Sequence, residues 1–159
     1  MDRVEELPRR RSPVSFVLDS SVTLAFVLPD EGGSAINALF ERLVSEGAVA
    51  PMLWKLEVAN TLLMAERRGR IDAAFRRAAI ADLEMFPITL DPNTAAQAWR
   101  TTLDLAAQHR LTVYDAVYLE LAIRAAVPLA TLDGELIRAA GAAGVQLIGV
   151  AGSNITGRA

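Results

Sequence analysis

The stretch Ser15-Phe16-Val17-Leu18-Asp19-Ser20-Ser21 constrains this chain more than any other. An apolar, β-favouring run reaches an acid where it ends. Hydroxyl residues follow, and then an apolar segment of helical character, residues 22–28. This is the pattern of a buried parallel strand whose carboxyl end opens into a helix. In open α/β sheets chemistry gathers outside those carboxyl ends, where Asp19 would stand.

The same alternation continues along the chain. Residues 34–46 carry Ile36, Leu39, Phe40 and Leu43 on one helical face, with Gly47 ending the helix. Residues 48–50 make a short strand. Residues 53–68 form an amphipathic helix closed by Gly69, and Asp72 caps another that Pro87 stops. Residues 88–90 are a strand or extended link, residues 93–109 one helix, and residues 113–126 the next. A strand at 128–132, a helix from Asp133 to about 140, a turn bracketed by Gly141 and Gly144, and a last strand at 145–150 complete the reading. The expectation is an α/β three-layer fold with a small central parallel sheet flanked by helices. The 159 residues, 52% of them hydrophobic, suit one domain at 14–150, with an N-terminal arm at 1–13 and a tail at 151–159. No run is long enough to span a bilayer, and the charged N-terminus lacks the apolar core of a signal peptide.

Four acids stand in unusual company. Asp19 ends the first strand. Glu57 interrupts the apolar start of the helix at 53–68, with Asn60 on the same face. Asp115 lies in the first turn of the helix at 113–126, and Asp133 follows the strand Leu129-Ala130-Thr131-Leu132. If the strands ending at Asp19 and Asp133 are close, these carboxylates crowd one site, and like charges at short range disfavour ionisation. A hard divalent cation resolves the conflict, and oxygen ligands suit magnesium or manganese. With no cysteine and one histidine, His109, thiolate sites, disulfides and multi-histidine centres within one chain are excluded. Metal-assisted phosphodiester hydrolysis is the chemistry this suggests, with Ser20 and Thr131 orienting a water or phosphate oxygen. Each residue also has a plainer reading. Asp19 and Asp133 fit helix caps, Asp115 fits a helix dipole, Glu57 fits an ion pair with a lysine or arginine, and Asn60 fits helix packing.

The net charge of −3 argues mildly against a nucleic-acid partner. Its distribution softens the objection. Arginines cluster at 9–11, at Arg67, Arg68 and Arg70, and at Arg76 and Arg77, and Lys55 is the sole lysine. A solvated face explains such clusters as well as phosphate recognition does.

With these residues in hand, the chain resembles the PIN-domain ribonucleases, and among them the VapC-type toxins of bacterial toxin–antitoxin modules, over residues 14–150. The resemblance rests on Val17-Leu18-Asp19-Ser20-Ser21, Glu57-Val58-Ala59-Asn60, Thr112-Val113-Tyr114-Asp115-Ala116 and Thr131-Leu132-Asp133, four short motifs in order. It implies a cytoplasmic, magnesium- or manganese-dependent endoribonuclease that forms a homodimer and is inhibited by a cognate antitoxin seated near the acids. Asp19, Glu57, Asp115 and Asp133 carry over as metal-site residues, and Asn60 and Thr131 as supporting polar groups.

Other classes remain open at this point. A housekeeping RNA-processing nuclease and a non-catalytic RNA- or partner-binding module share the pattern. A haloacid-type phosphatase is disfavoured by Ser21, where a second Asp is expected. A dinucleotide-binding module is disfavoured by the missing glycine fingerprint. His109 reads as a helix C-terminal contact. Trp54, Trp99, Phe40 and Leu43 read as core or interface, and the helices at 34–46 and 72–85 as faces for an antitoxin or a second copy.

Overall fold

The computed structural model describes residues 16–149. The arm at 1–13, the tail at 151–159, and Val14, Ser15 and Val150 lie outside the described residues.

The chain runs β1 (Val17–Leu18), α1 (Ser20–Val27), α2 (Ser34–Glu46), β2 (Ala48–Pro51), α3 (Trp54–Arg67), α4 (Ala73–Glu84), β3 (Ile88–Asp91), α5 (Thr94–Ala98), α6 (Thr101–His109), α7 (Val113–Ala125), β4 (Leu129–Ala130) and α8 (Gly134–Ala142). The strands form one parallel sheet in the order β3-β2-β1-β4. The expected mixed α/β fold, a small parallel sheet flanked by helices, is what forms. The apolar runs explain why. Phe16, Val17, Leu18, Ala48 and Ala50 are all buried, as strands covered on both faces require.

The chain grows outward from β1 through β2 to β3, then returns to place β4 on the other side of β1. The crevice outside the carboxyl ends of β1 and β4 is therefore the topological switch point of the sheet. Val17 pairs with Leu129 and Leu18 with Ala130, and Asp19 N–H continues the ladder to the Ala130 carbonyl at 3.0 Å. Asp19 and Thr131 thus leave the sheet at the same level.

Local chemistry sets the helix ends. Asp72 accepts from the Phe75 amide at 2.7 Å, Thr112 from the Asp115 amide at 3.1 Å and Asp133 from the Leu136 amide at 2.8 Å. Gly47 closes α2 at φ +75°, a conformation that costs glycine little. Helix α7 crosses behind the sheet and is pinned to β3. The Arg124 guanidinium donates to both oxygens of Asp91 (Nη2 to Oδ2, 2.6 Å; Nη1 to Oδ1, 3.3 Å) and to Glu120 (Nε to Oε1, 2.7 Å; Nη2 to Oε2, 3.1 Å).

Four expectations are corrected. The single helix at 93–109 is two, α5 and α6, separated at Trp99 and Arg100, where Arg100 adopts φ −124° and ψ −116°. The segments answer to different partners: the Thr94 hydroxyl ties the start of α5 to the Met52 amide and the Asp91 carbonyl, whereas α6 packs along α7. The last strand at 145–150 shrinks to one bridge, Leu129 with Leu147, because Gly149 turns away at φ +76° against Leu39. The core half of the reading for Trp99 falls, since it is 91% exposed and only the interface half remains, whereas Trp54, Phe40 and Leu43 are buried. Finally, Ile36, Leu39, Phe40 and Leu43 of α2 are buried in the protein's own core, so that face is not free for a partner, and on α4 Ala79 and Leu83 are buried likewise while Phe75 and Ile80 are only partly covered.

Candidate active site

Asp19 is the centre of the crevice. It is 4% exposed, and although it stands at the N-cap position of α1 its side chain caps nothing. Its Oδ2 instead accepts from the Ser21 hydroxyl at 2.6 Å and the Thr131 hydroxyl at 2.7 Å. The same two hydroxyls accept from the next loop, Ser21 from the Leu132 amide and Thr131 from the Asp133 amide, each at 3.0 Å. Two side chains thereby fasten the exit of β4 to the exit of β1. Ser20, named from sequence as a supporting group, reaches Asp19 Oδ1 only at 3.5 Å. Ser21 makes the closer contact, and its position two residues past an aspartate was the signal for it.

Glu57 is brought to the same crevice by a lock between α1 and α3. The Trp54 indole donates to the Thr23 hydroxyl at 3.0 Å, and Thr23 bonds back to the Asp19 carbonyl at 3.3 Å. Glu57 itself accepts from the Tyr118 phenol at 2.6 Å. Tyr118 was not anticipated, although it lies one turn past Asp115 on the same helix face. The half-buried Asp115 opens α7. Asp133 carries the α8 cap described above, its plainer role realised. Asn60 is exposed on α3, and its amide makes no hydrogen bond among the described residues. Thr131 is fully buried beside Asp19.

The electrostatics follow from this packing. Burial raises the Asp19 carboxyl above its ordinary value; the Ser21 and Thr131 hydroxyls pull it back, and the charge of Asp115 pushes it up again. Glu57 is raised by desolvation, eased by Tyr118, and raised further by Asp19 and Asp115. Asp115 is raised by burial, eased by Thr112, and raised by Asp133. Burial, then Glu57 and Asp19, push the Tyr118 phenol far upward, so it stays a neutral donor. Among the described residues none of these four carboxylates has an ion-pair partner.

The donor set is all oxygen and mutually repelling, the kind that takes magnesium or manganese. Among the described residues no three His, Cys, Asp or Glu side chains stand together as a ready-made cage. Magnesium does not require one, since it usually binds through one or two carboxylates, waters and substrate phosphate. The residues therefore fit the ion in kind.

The PIN-domain family pattern matches residues 16–142. The chain is 31% identical over 125 residues to "Ribonuclease VapC3" of Pyrobaculum aerophilum, covering 77% of this chain and 92% of that protein. It is 33% identical over 132 residues to "Ribonuclease VapC3" of Mycobacterium tuberculosis, covering 80% and 88%. The crystal structure of PAE2754 from Pyrobaculum aerophilum aligns at a TM-score of 0.61 and 25% identity over 80% of this chain and 85% of that one. FitAcB from Neisseria gonorrhoeae aligns at 0.59 and 17% identity over 84% and 96%, a likeness of fold.

Proposed function

The chain belongs to the PIN-domain family, and from that premise we propose that it is a magnesium- or manganese-dependent endoribonuclease serving as the toxin of a toxin–antitoxin module. The observation that supports the reading is the buried Asp19 at the sheet's switch point, within electrostatic reach of Asp115 and Glu57 and, among the described residues, with no ion-pair partner. The relatives named ribonucleases supply the reaction class, and RNA is the proposed substrate. The resemblance to VapC-type toxins extends the proposal to a cognate antitoxin and a homodimer.

Asp19 would hold the ion, with Glu57, Asp115 and Asp133 as the other acids assigned to it. When bound, a divalent ion lowers the pKa of water and offsets charge building on the phosphate and the leaving oxygen. The protein's own groups prepare that setting. Ser21 and Thr131 fix the Asp19 carboxylate and leave its second oxygen, Oδ1, turned toward Ser20. Tyr118 holds one Glu57 oxygen and leaves the other free to accept. Asp115 takes its place in the first turn of α7, where the helix dipole favours negative charge.

The test is cleavage of a mixed RNA pool by the purified chain, with magnesium or manganese and with chelator, beside Asp19→Asn. Cleavage that needs the ion and vanishes in the variant is the expected result. Cleavage that persists in both chelator and variant overturns the site.

A further inference from the structure

Four carboxylates repel a polyanion, and the whole chain carries a net charge of −3. Attraction for an RNA strand must therefore come from a local positive surface in line with the site. Helix α3 supplies one. Its buried line is Trp54, Val58, Leu62 and Ala65. At 100° per residue this leaves Glu57, Asn60, Met64, Arg67 and the cap residue Arg68 along a neighbouring edge, at intervals of three, seven, ten and eleven residues from Glu57. Asn60, Arg67 and Arg68 are exposed.

The arginines at this end of α3 and in the turn beyond it are not equivalent. Arg70 is tied to Glu31 at 2.9 Å, and Arg76 to Glu66. Arg67 and Arg68 form no ion pair among the described residues. We propose that the α3 edge from Glu57 through Asn60 to Arg67 and Arg68 is a track for the phosphate backbone of the RNA being cut. This rests on the nuclease reading and adds to it the direction in which the strand leaves the site. A guanidinium matches a phosphate with two parallel hydrogen bonds, and the free Asn60 amide offers a donor and an acceptor about a third of the way along. At 1.5 Å per residue the arginines stand about 15 Å from Glu57. A stacked strand rising about 3.4 Å per nucleotide covers that in about four or five nucleotides.

The experiment is binding of a labelled single-stranded RNA in chelator, followed by anisotropy across a salt series. The parent chain is compared with Arg67→Ala/Arg68→Ala and with Arg42→Ala/Arg77→Ala, which removes equal charge from α2 and α4. Each lost phosphate contact lowers the slope of log affinity against log salt by about 0.7. The α3 variant is expected to lose about 1.4 and the control variant nothing. Equal slopes for all three chains, or no RNA binding by the parent, overturn the track; a protein partner would then be the surface's remaining occupant. Metal-dependent cleavage by the parent is measured alongside. If cleavage is present while the slopes agree, the track alone fails, whereas absent cleavage strikes the nuclease reading itself.

Discussion

Two groups of acids sit against α7, and the protein treats them in opposite ways. At one end, Asp91 (5% exposed) and Glu120 (2%) are both held by the Arg124 guanidinium. At the other, Asp19, Glu57, Asp115 and Asp133 have hydroxyls, a phenol and backbone amides, but no cation among the described residues. A buried carboxylate costs free energy unless compensated. The first group is compensated within the chain and joins β3 to α7. The second has no ion-pair partner among the described residues, which suits the proposed site for a divalent ion and a phosphate. The difference separates acids that hold the fold from acids that the proposed function uses.

The contrast can be broken at either end. The largest expected effect is on chemistry: Asp19→Asn should lower metal-dependent RNA cleavage about a thousandfold, ~4 kcal/mol in the barrier, while the metal-free protein stays at least as stable. Initial rates and thermal melts check both halves, and a rate within tenfold of the parent would assign Asp19 to the fold. Next, Arg124→Met strands two buried carboxylates and should cost about 3 kcal/mol in urea unfolding. Adding Asp91→Asn and Glu120→Gln should recover most of that loss. A cost under about 1 kcal/mol would mean that solvent, not Arg124, compensates these acids.

Tyr118→Phe removes one hydrogen bond to a carboxylate in the open group and should cost about 1.5 kcal/mol, read in the same urea series. The smallest effect is a pH trend. Asp19, Glu57 and Asp115 all have folded values above their ordinary 3.8, 4.5 and 3.8. Just above pH 4 the folded state therefore holds more protons than the unfolded one, and stability falls as pH rises through the raised folded values. Melting of the metal-free chain should decline from pH 4 upward, less steeply in Asp19→Asn. A rising curve would contradict the uncompensated group.

The open group was more legible in the sequence than the closed one. Asp19 and Asp133 each follow an apolar β run, and Glu57 breaks an apolar helix, so local pattern exposes them. Arg124, Asp91 and Glu120 lack such a signal. Glu120 and Arg124 have an ordinary i,i+4 spacing, and Asp91 before Pro92 reads as the opening of a helix; only the packing of α7 against β3 joins them. The bounds of α2 were readable because one apolar stripe and Gly47 define it. The break at Trp99 was not, since no glycine or proline marks it and the cause lies in partners remote in sequence. Ser21 and Tyr118 stood one to three positions from residues already singled out, but their hydrogen bonds depend on β1 and β4 being neighbours and on α7 facing α3.

That neighbourhood has a consequence for the protein's birth. Among the described residues β1 is the first strand made, yet one of its sheet partners, β4, is the last. The hydroxyl holding Asp19 comes from Thr131, and Asp115 and Tyr118 belong to α7. The acids of the proposed site are therefore added one by one at positions 19, 57, 115 and 133, and the set is complete in a growing chain only once synthesis has passed Asp133.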